Sequence, residues 1–118
     1  MNNEITAIQE KCFQMILCAG DAKALFSEAI QASINGDKNS SDRLYQEGVE
    51  KLNEAHSHEA SMIASYGQNP TAVPADLLLI HANDHLSMAL SMQELCNQSL
   101  PIIDTVCELN KTVSELIG

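Results

Sequence analysis

A chain of 118 residues that is 45% apolar and 3% aromatic, with no Trp, has the size of one domain around one core. Its formal net charge of −10 excludes the Lys/Arg cluster that nucleic acid or an anionic membrane surface would require. No apolar run approaches the roughly 20 residues that span a bilayer, and Met1-Asn2-Asn3-Glu4 lacks the basic-then-apolar start of a signal peptide, so no membrane insertion and a cytosolic location are expected.

Ala, Leu, Ile, Met, Glu, Gln and Ser dominate, while Val and Thr are too dispersed to alternate as strands. The first helix is expected from about Glu4 to Ile34. Ile5, Ile8, Cys12, Met15, Ala19, Ala22, Phe26 and Ala29 recur at spacings of three and four, a heptad-like seam. Ile16, Leu25 and Ile30 widen it, as a helix needs when it touches more than one neighbour. Asn35-Gly36 supplies a left-handed stop. Gly20, inside the helix, reads as a point of close backbone packing.

Ser40 or Ser41 is the expected cap of a second helix running from residue 41 to Tyr66. Leu44, Leu52, Ala55, Met62 and Ile63 form its apolar face, and Gly67-Gln68-Asn69-Pro70 its stop. Pro74 suits the first turn of a third helix, from about Ala75 to Leu116. Its seam reads Leu78, His81, His85, Met88, Met92, Leu95, Ser99, Ile102, Val106, Leu109, Val113, Leu116. Beside it lies a polar strip of Asp84, Ser87, Ser91, Glu94 and Gln98. Pro101 is expected to kink or interrupt this helix. Cys12, Cys18, Cys96 and Cys107 form no C-x-x-C pair and read as reduced packing residues.

Three long helices with short connections predict an all-α, up-down-up antiparallel bundle. Thirty helical residues span roughly 45 Å, and so thin a rod has much surface for its core. Seams that are apolar on more than one side predict association of identical rods.

His81-Ala82-Asn83-Asp84-His85 is the stretch that carries chemistry. Positions i and i+4 are stacked neighbours on a helix, and both histidines fall where the seam is otherwise apolar. A single seam histidine is ordinarily a hydrogen-bonded core residue. Two on consecutive turns admit two further readings. H-x-x-x-H is the spacing of helical zinc proteases, but Asp84 is shorter than their Glu base. His56 and His58 are the only candidate further histidine ligands, and a slim bundle offers no substrate cleft. A phosphoryl relay needs only a neutral imidazole nucleophile, with a reference pKa of about 6.5, on a surface where partners dock.

The chain resembles the enzyme IIA component of the lactose/cellobiose/chitobiose family of the bacterial sugar phosphotransferase system. Ile80-His81-Ala82-Asn83-Asp84-His85-Leu86 matches that family's V-H-A-Q/E-D-H-L. Leu52-Asn53-Glu54-Ala55-His56 is a second match, and Ala19-Gly20-Asp21-Ala22-Lys23-Ala24-Leu25 is a third, similar to S/A-G-x-A-R/K-S-L. Order and separation agree from about Glu10 to Leu116.

The resemblance implies one phosphocarrier domain over 1–118, assembled as a homotrimer. His81 would accept a phosphoryl group through Nε2 from the phosphohistidine of HPr. It would pass the group to a cysteine of enzyme IIB, for uptake of a β-disaccharide through the membrane IIC component. His85 would lie near the phosphoryl group. Asp84 would join its copies from two other protomers to bind a divalent cation, expected to be Mg²⁺, on the trimer axis. No direct role is expected of His56 and His58. The chain departs from the family at Glu59 and Ala60, where Gln-Thr is common, at Asn83, at Met88-Ala89 and at Pro101. These departures bear on partner fit, and a rival reading is a non-catalytic or regulatory trimeric bundle that keeps the fold.

Overall fold

In a computed structural model, residues 2–68 and 77–118 are described. Three helices follow one another: α1 over Asn2–Ile34, α2 over Lys38–Gln68 and α3 over Leu77–Ile117. Of the expected stop at Gly67-Gln68-Asn69-Pro70, Gly67 and Gln68 are still helical, so α2 runs past the expected end at Tyr66, while Asn69-Pro70 and the expected start at Pro74 lie outside the described residues. Among the described residues no helix is long and apolar enough to cross a membrane.

Cross-helix hydrogen bonds fix the directions. Lys11 Nζ donates to Ser61 Oγ at 2.6 Å, and Ser41 Oγ donates to the Ala29 carbonyl at 2.8 Å, so α2 runs antiparallel to α1. Cys96 Sγ reaches the Phe26 carbonyl at 3.2 Å, and Ser33 Oγ donates to Asp104 Oδ1 at 3.2 Å, so α3 runs parallel to α1. The order is up-down-up in a rod of 72 × 20 × 17 Å. α1 packs along both neighbours, whereas α2 and α3 touch each other much less. Tyr45 Oη donating to Asn97 Oδ1 at 2.7 Å is one bond between them.

The α1 seam is the core. Ile8, Cys12, Met15, Ala19, Ala22, Phe26 and Ala29 are all buried, and Leu52, Ala55 and Met62 meet them from α2. Ala and Cys at these positions let the axes approach closely, and Phe26 fills the space opposite Gly48. A Cβ on Gly48 would stand 2.7 Å from Phe26 Cε1. Cys12, Cys18 and Cys96 are buried and Cys107 half-buried, and none forms a disulfide.

Several local expectations are corrected. α2 begins at Lys38, because Asp37 is its cap: Oδ1 accepts the Ser40 amide at 3.2 Å. Ser41 instead turns inward to the Ala29 carbonyl. The α1 stop is a Schellman motif, with Asp37 N–H on the Ala32 carbonyl, Gly36 N–H on that of Ser33, and Gly36 at φ 81°. A Cβ on Gly20 would meet nothing within 4 Å, so close packing does not explain this glycine. Ile63 is exposed rather than on the α2 core face. Of the kink or interruption expected at Pro101, the interruption is absent: α3 runs as one helix through it, although the ring forfeits the amide bond to the residue 97 carbonyl and crowds that carbonyl.

The largest correction concerns α3. Its buried residues are Ala82, Leu86, Ala89 and Cys96, one position on from the predicted seam. Met88, Leu95, Ile102, Val106, Leu109, Val113 and Leu116 of that seam are exposed. α3 therefore carries two apolar stripes, one spent on α1 and one left open. Beyond Cys107 every residue of α3 is exposed, because the α1–α2 hairpin has ended.

Candidate functional site

The histidine pair sits on the open side of α3, in its second and third turns. Ala82 and Leu86, at 0% and 3% exposure, anchor these turns in the bundle. Each immediately follows a histidine in sequence, so the anchoring turns each imidazole about 100° away from the buried line. His81 is exposed and His85 half-buried.

His85 Nε2 and His81 Nε2 are 3.2 Å apart. The rings are nearly perpendicular, at 88°, with centroids 4.5 Å apart. A hydrogen bond between two Nε2 atoms requires one to carry the proton and the other to offer its lone pair. The tautomers of the two rings are thus coupled. If His81 holds its proton on Nδ1, its Nε2 lone pair is available and His85 is the donor.

Asp84 lies on the exposed polar strip, as do Ser87, Ser91, Glu94 and Gln98. Among the described residues no group of three His, Cys, Asp or Glu side chains converges to hold a metal within one chain. One Asp84 carboxylate is too little for a hard divalent cation, which takes six or more oxygens. The donor chemistry fits such an ion only if several chains bring their Asp84 side chains together.

His56 and His58 are on α2. His56 Nδ1 faces Glu59 Oε1 at 3.8 Å. His58 borders a surface depression of about 560 Å³ with Glu10, Lys11, Phe13 and Gln14. Among the described residues no hydrogen bond or ring contact joins either to His81 or His85. The family departure at Glu59 thus supplies a carboxylate to His56 and leaves the α3 pair untouched.

Sequence reasoning missed that Ala82 and Leu86, rather than the histidine seam, dock α3. The signal was present as a second stripe of small and apolar residues, Leu79, Ala82, Leu86, Ala89 and Cys96. It was masked because the neighbouring stripe is more uniformly large.

Comparison with known proteins matches residues 10–104 to the family described as "PTS system, Lactose/Cellobiose specific IIA subunit". The match ends at Asp104, which pairs with Ser33 and Lys38 where the α1–α2 hairpin closes. The chain is 29% identical over 109 residues to the lichenan-specific phosphotransferase enzyme IIA component of Bacillus subtilis (strain 168), covering 92% of this chain and 94% of that one. It is 36% identical over 94 residues to the oligo-beta-mannoside-specific EIIA component of the same strain, covering 79% and 84%. With the lactose-specific EIIA component of Staphylococcus aureus (strain N315) it shares 31% identity over 100 residues, covering 85% and 94%. Its fold is similar to the crystal structure of the PTS cellobiose-specific enzyme IIA from Bacillus anthracis, with a TM-score of 0.78, 28% identity, and 84% and 90% of the two chains covered. The chain belongs to the lactose/cellobiose-specific IIA subunit family of the sugar phosphotransferase system and is a sugar phosphotransfer component of that type.

Proposed function

We propose that His81 is the phosphoryl carrier of this chain. The observation that supports it most directly is the 3.2 Å pairing of His81 Nε2 with His85 Nε2 on an open helical face. With the His81 proton on Nδ1, its Nε2 lone pair, released from the His85 N–H, attacks the phosphorus of phosphohistidine on HPr. The new N–P bond forms as the old one breaks, and the electron pair returns to the HPr imidazole. The freed His85 N–H then donates to a phosphoryl oxygen, a charge-assisted bond. A cysteine thiolate of enzyme IIB reverses the step by taking the group from His81. Charge is dispersed over the phosphoryl oxygens in a loose transition state, so positioning suffices and no cleft is required. The relay is cytosolic and serves uptake through a membrane IIC component.

The substrate class is a β-linked disaccharide or short oligosaccharide. Lichenan, oligo-beta-mannoside, lactose and cellobiose, named for the relatives and the structural neighbour, share β-linkages.

The assembly we propose is a homotrimer about the open stripe of α3. Ile102 and Leu109 are 64% and 60% exposed in the single chain, and the stripe continues through Val113. An apolar surface of that length marks an association site. Asp84 borders the same side, and three copies with water would supply the oxygen shell that Mg²⁺ prefers.

Incubation with phosphoenolpyruvate, enzyme I and HPr tests the relay. Mass spectrometry is expected to show one acid-labile phosphoryl group, absent in His81→Ala and reduced in His85→Ala. Wild-type protein that takes up no label would establish the non-catalytic bundle instead. Sedimentation tests the assembly. A trimer is expected, with Asp84→Leu retaining it and losing bound metal, because three carboxylates repel without a cation. A monomer would refute it.

A further inference from the structure

We infer that His81 and His85 form a chelating site for a transition-metal cation of the zinc type, and that occupancy of this site silences the relay. Zinc binds imidazole nitrogen at about 2.0–2.1 Å, so two nitrogens on one tetrahedral ion stand about 3.3 Å apart. The two Nε2 atoms are already 3.2 Å apart. That spacing is the edge of a zinc tetrahedron, and the helix enforces it by stacking the side chains one turn apart. The chelating form needs both rings protonated on Nδ1, so that both Nε2 lone pairs face the ion. The tautomer of one ring must change, and the rings, now perpendicular with centroids 4.5 Å apart, must turn until both lone pairs converge. His81 is exposed and its ring has room to rotate, so no backbone movement is involved.

Imidazole nitrogen selects zinc, copper or nickel, whereas magnesium takes oxygen. The histidine pair and Asp84 therefore answer to different ions. Two protein ligands leave the remaining positions to water, which makes the site reversible rather than structural. An ion seated there uses the Nε2 lone pair that would attack phosphorus. Conversely, a phosphoryl group on His81 Nε2 removes one ligand and expels the ion. The silencing rests on His81 being the carrier; the binding does not.

Zinc chloride titrated into the full chain in a non-coordinating buffer, followed by calorimetry, is the test. One ion per chain is expected, bound at least about tenfold more weakly by His81→Ala and by His85→Ala. Asp84→Leu and the His56→Ala/His58→Ala double variant are expected to bind as the wild type does. In the phosphotransfer assay, zinc is expected to suppress labelling of His81 in proportion to occupancy, and a chelator to restore it. Wild-type protein without saturable zinc binding would overturn the site. So would wild-type affinity in either single histidine variant, or loss of binding in Asp84→Leu. A chain that binds zinc but takes no label in zinc-free buffer would refute the relay and leave the metal site standing.

Discussion

Adding a single methyl group at Gly48 is expected to destabilise the bundle, whereas the same methyl at Gly20 stabilises it. At Gly48 the new Cβ would stand 2.7, 2.8 and 3.1 Å from Phe26 Cε1, Cδ1 and Cζ. Phe26 is fully buried and its ring packs on Tyr45 at a centroid distance of 5.5 Å, so it has little room to withdraw. Overpacking of this kind costs about 1–3 kcal/mol. At Gly20 the new Cβ meets nothing within 4 Å. Both positions are helical, so both variants gain the same Gly-to-Ala propensity of roughly 1 kcal/mol. The propensity cancels in the difference between the two, leaving the clash alone, about 1–3 kcal/mol. Urea unfolding followed by circular dichroism reads it, with protomer concentration held constant because the proposed assembly would contribute to stability. Gly48→Ala as stable as Gly20→Ala would refute the close approach of α2 to Phe26.

Burial pushes the Cys96 thiol up to about 11, so iodoacetamide is expected to label half-buried Cys107 well before Cys96 in the native state. Mass spectrometry of timed samples checks the order. The same raised value makes the folded state hold its proton longer than the unfolded chain. The Cys96 contribution to stability is present below the reference value near 9 and is lost as pH rises toward about 11. Cys96→Ala should flatten that alkaline slope. The Ser40 hydroxyl and amide hold the Asp37 carboxyl below the usual carboxylate range. Its stabilisation is present at neutral pH and lost as pH falls through the lowered value, so Asp37→Asn should weaken the acid dependence of thermal melting. Ile102→Glu together with Leu109→Glu is expected to shift the sedimenting species to a monomer without loss of helical circular dichroism, since neither residue is buried in the chain's own core.

The α1 core was legible residue by residue, because one helix facing two neighbours must repeat its apolar positions at the helical period. The histidine motif was legible too, since packing does not place two imidazoles and a carboxylate within five residues. Cap chemistry was less legible. Asp37, Ser40 and Ser41 are all competent caps, and which one serves depends on where α1 releases the chain at Gly36 and where the Ala29 carbonyl lies.

What the sequence by itself determined was the all-helical class, the extent of α1, and the chemistry available to His81, Asp84 and His85. Local period and residue type suffice for these. The tertiary structure decided which stripe of α3 faces α1. Both stripes satisfy the same period, and only the fit of Ala82, Leu86 and Ala89 against the α1 seam selects between them. That choice turns the histidines away from the buried line and leaves the larger apolar stripe exposed.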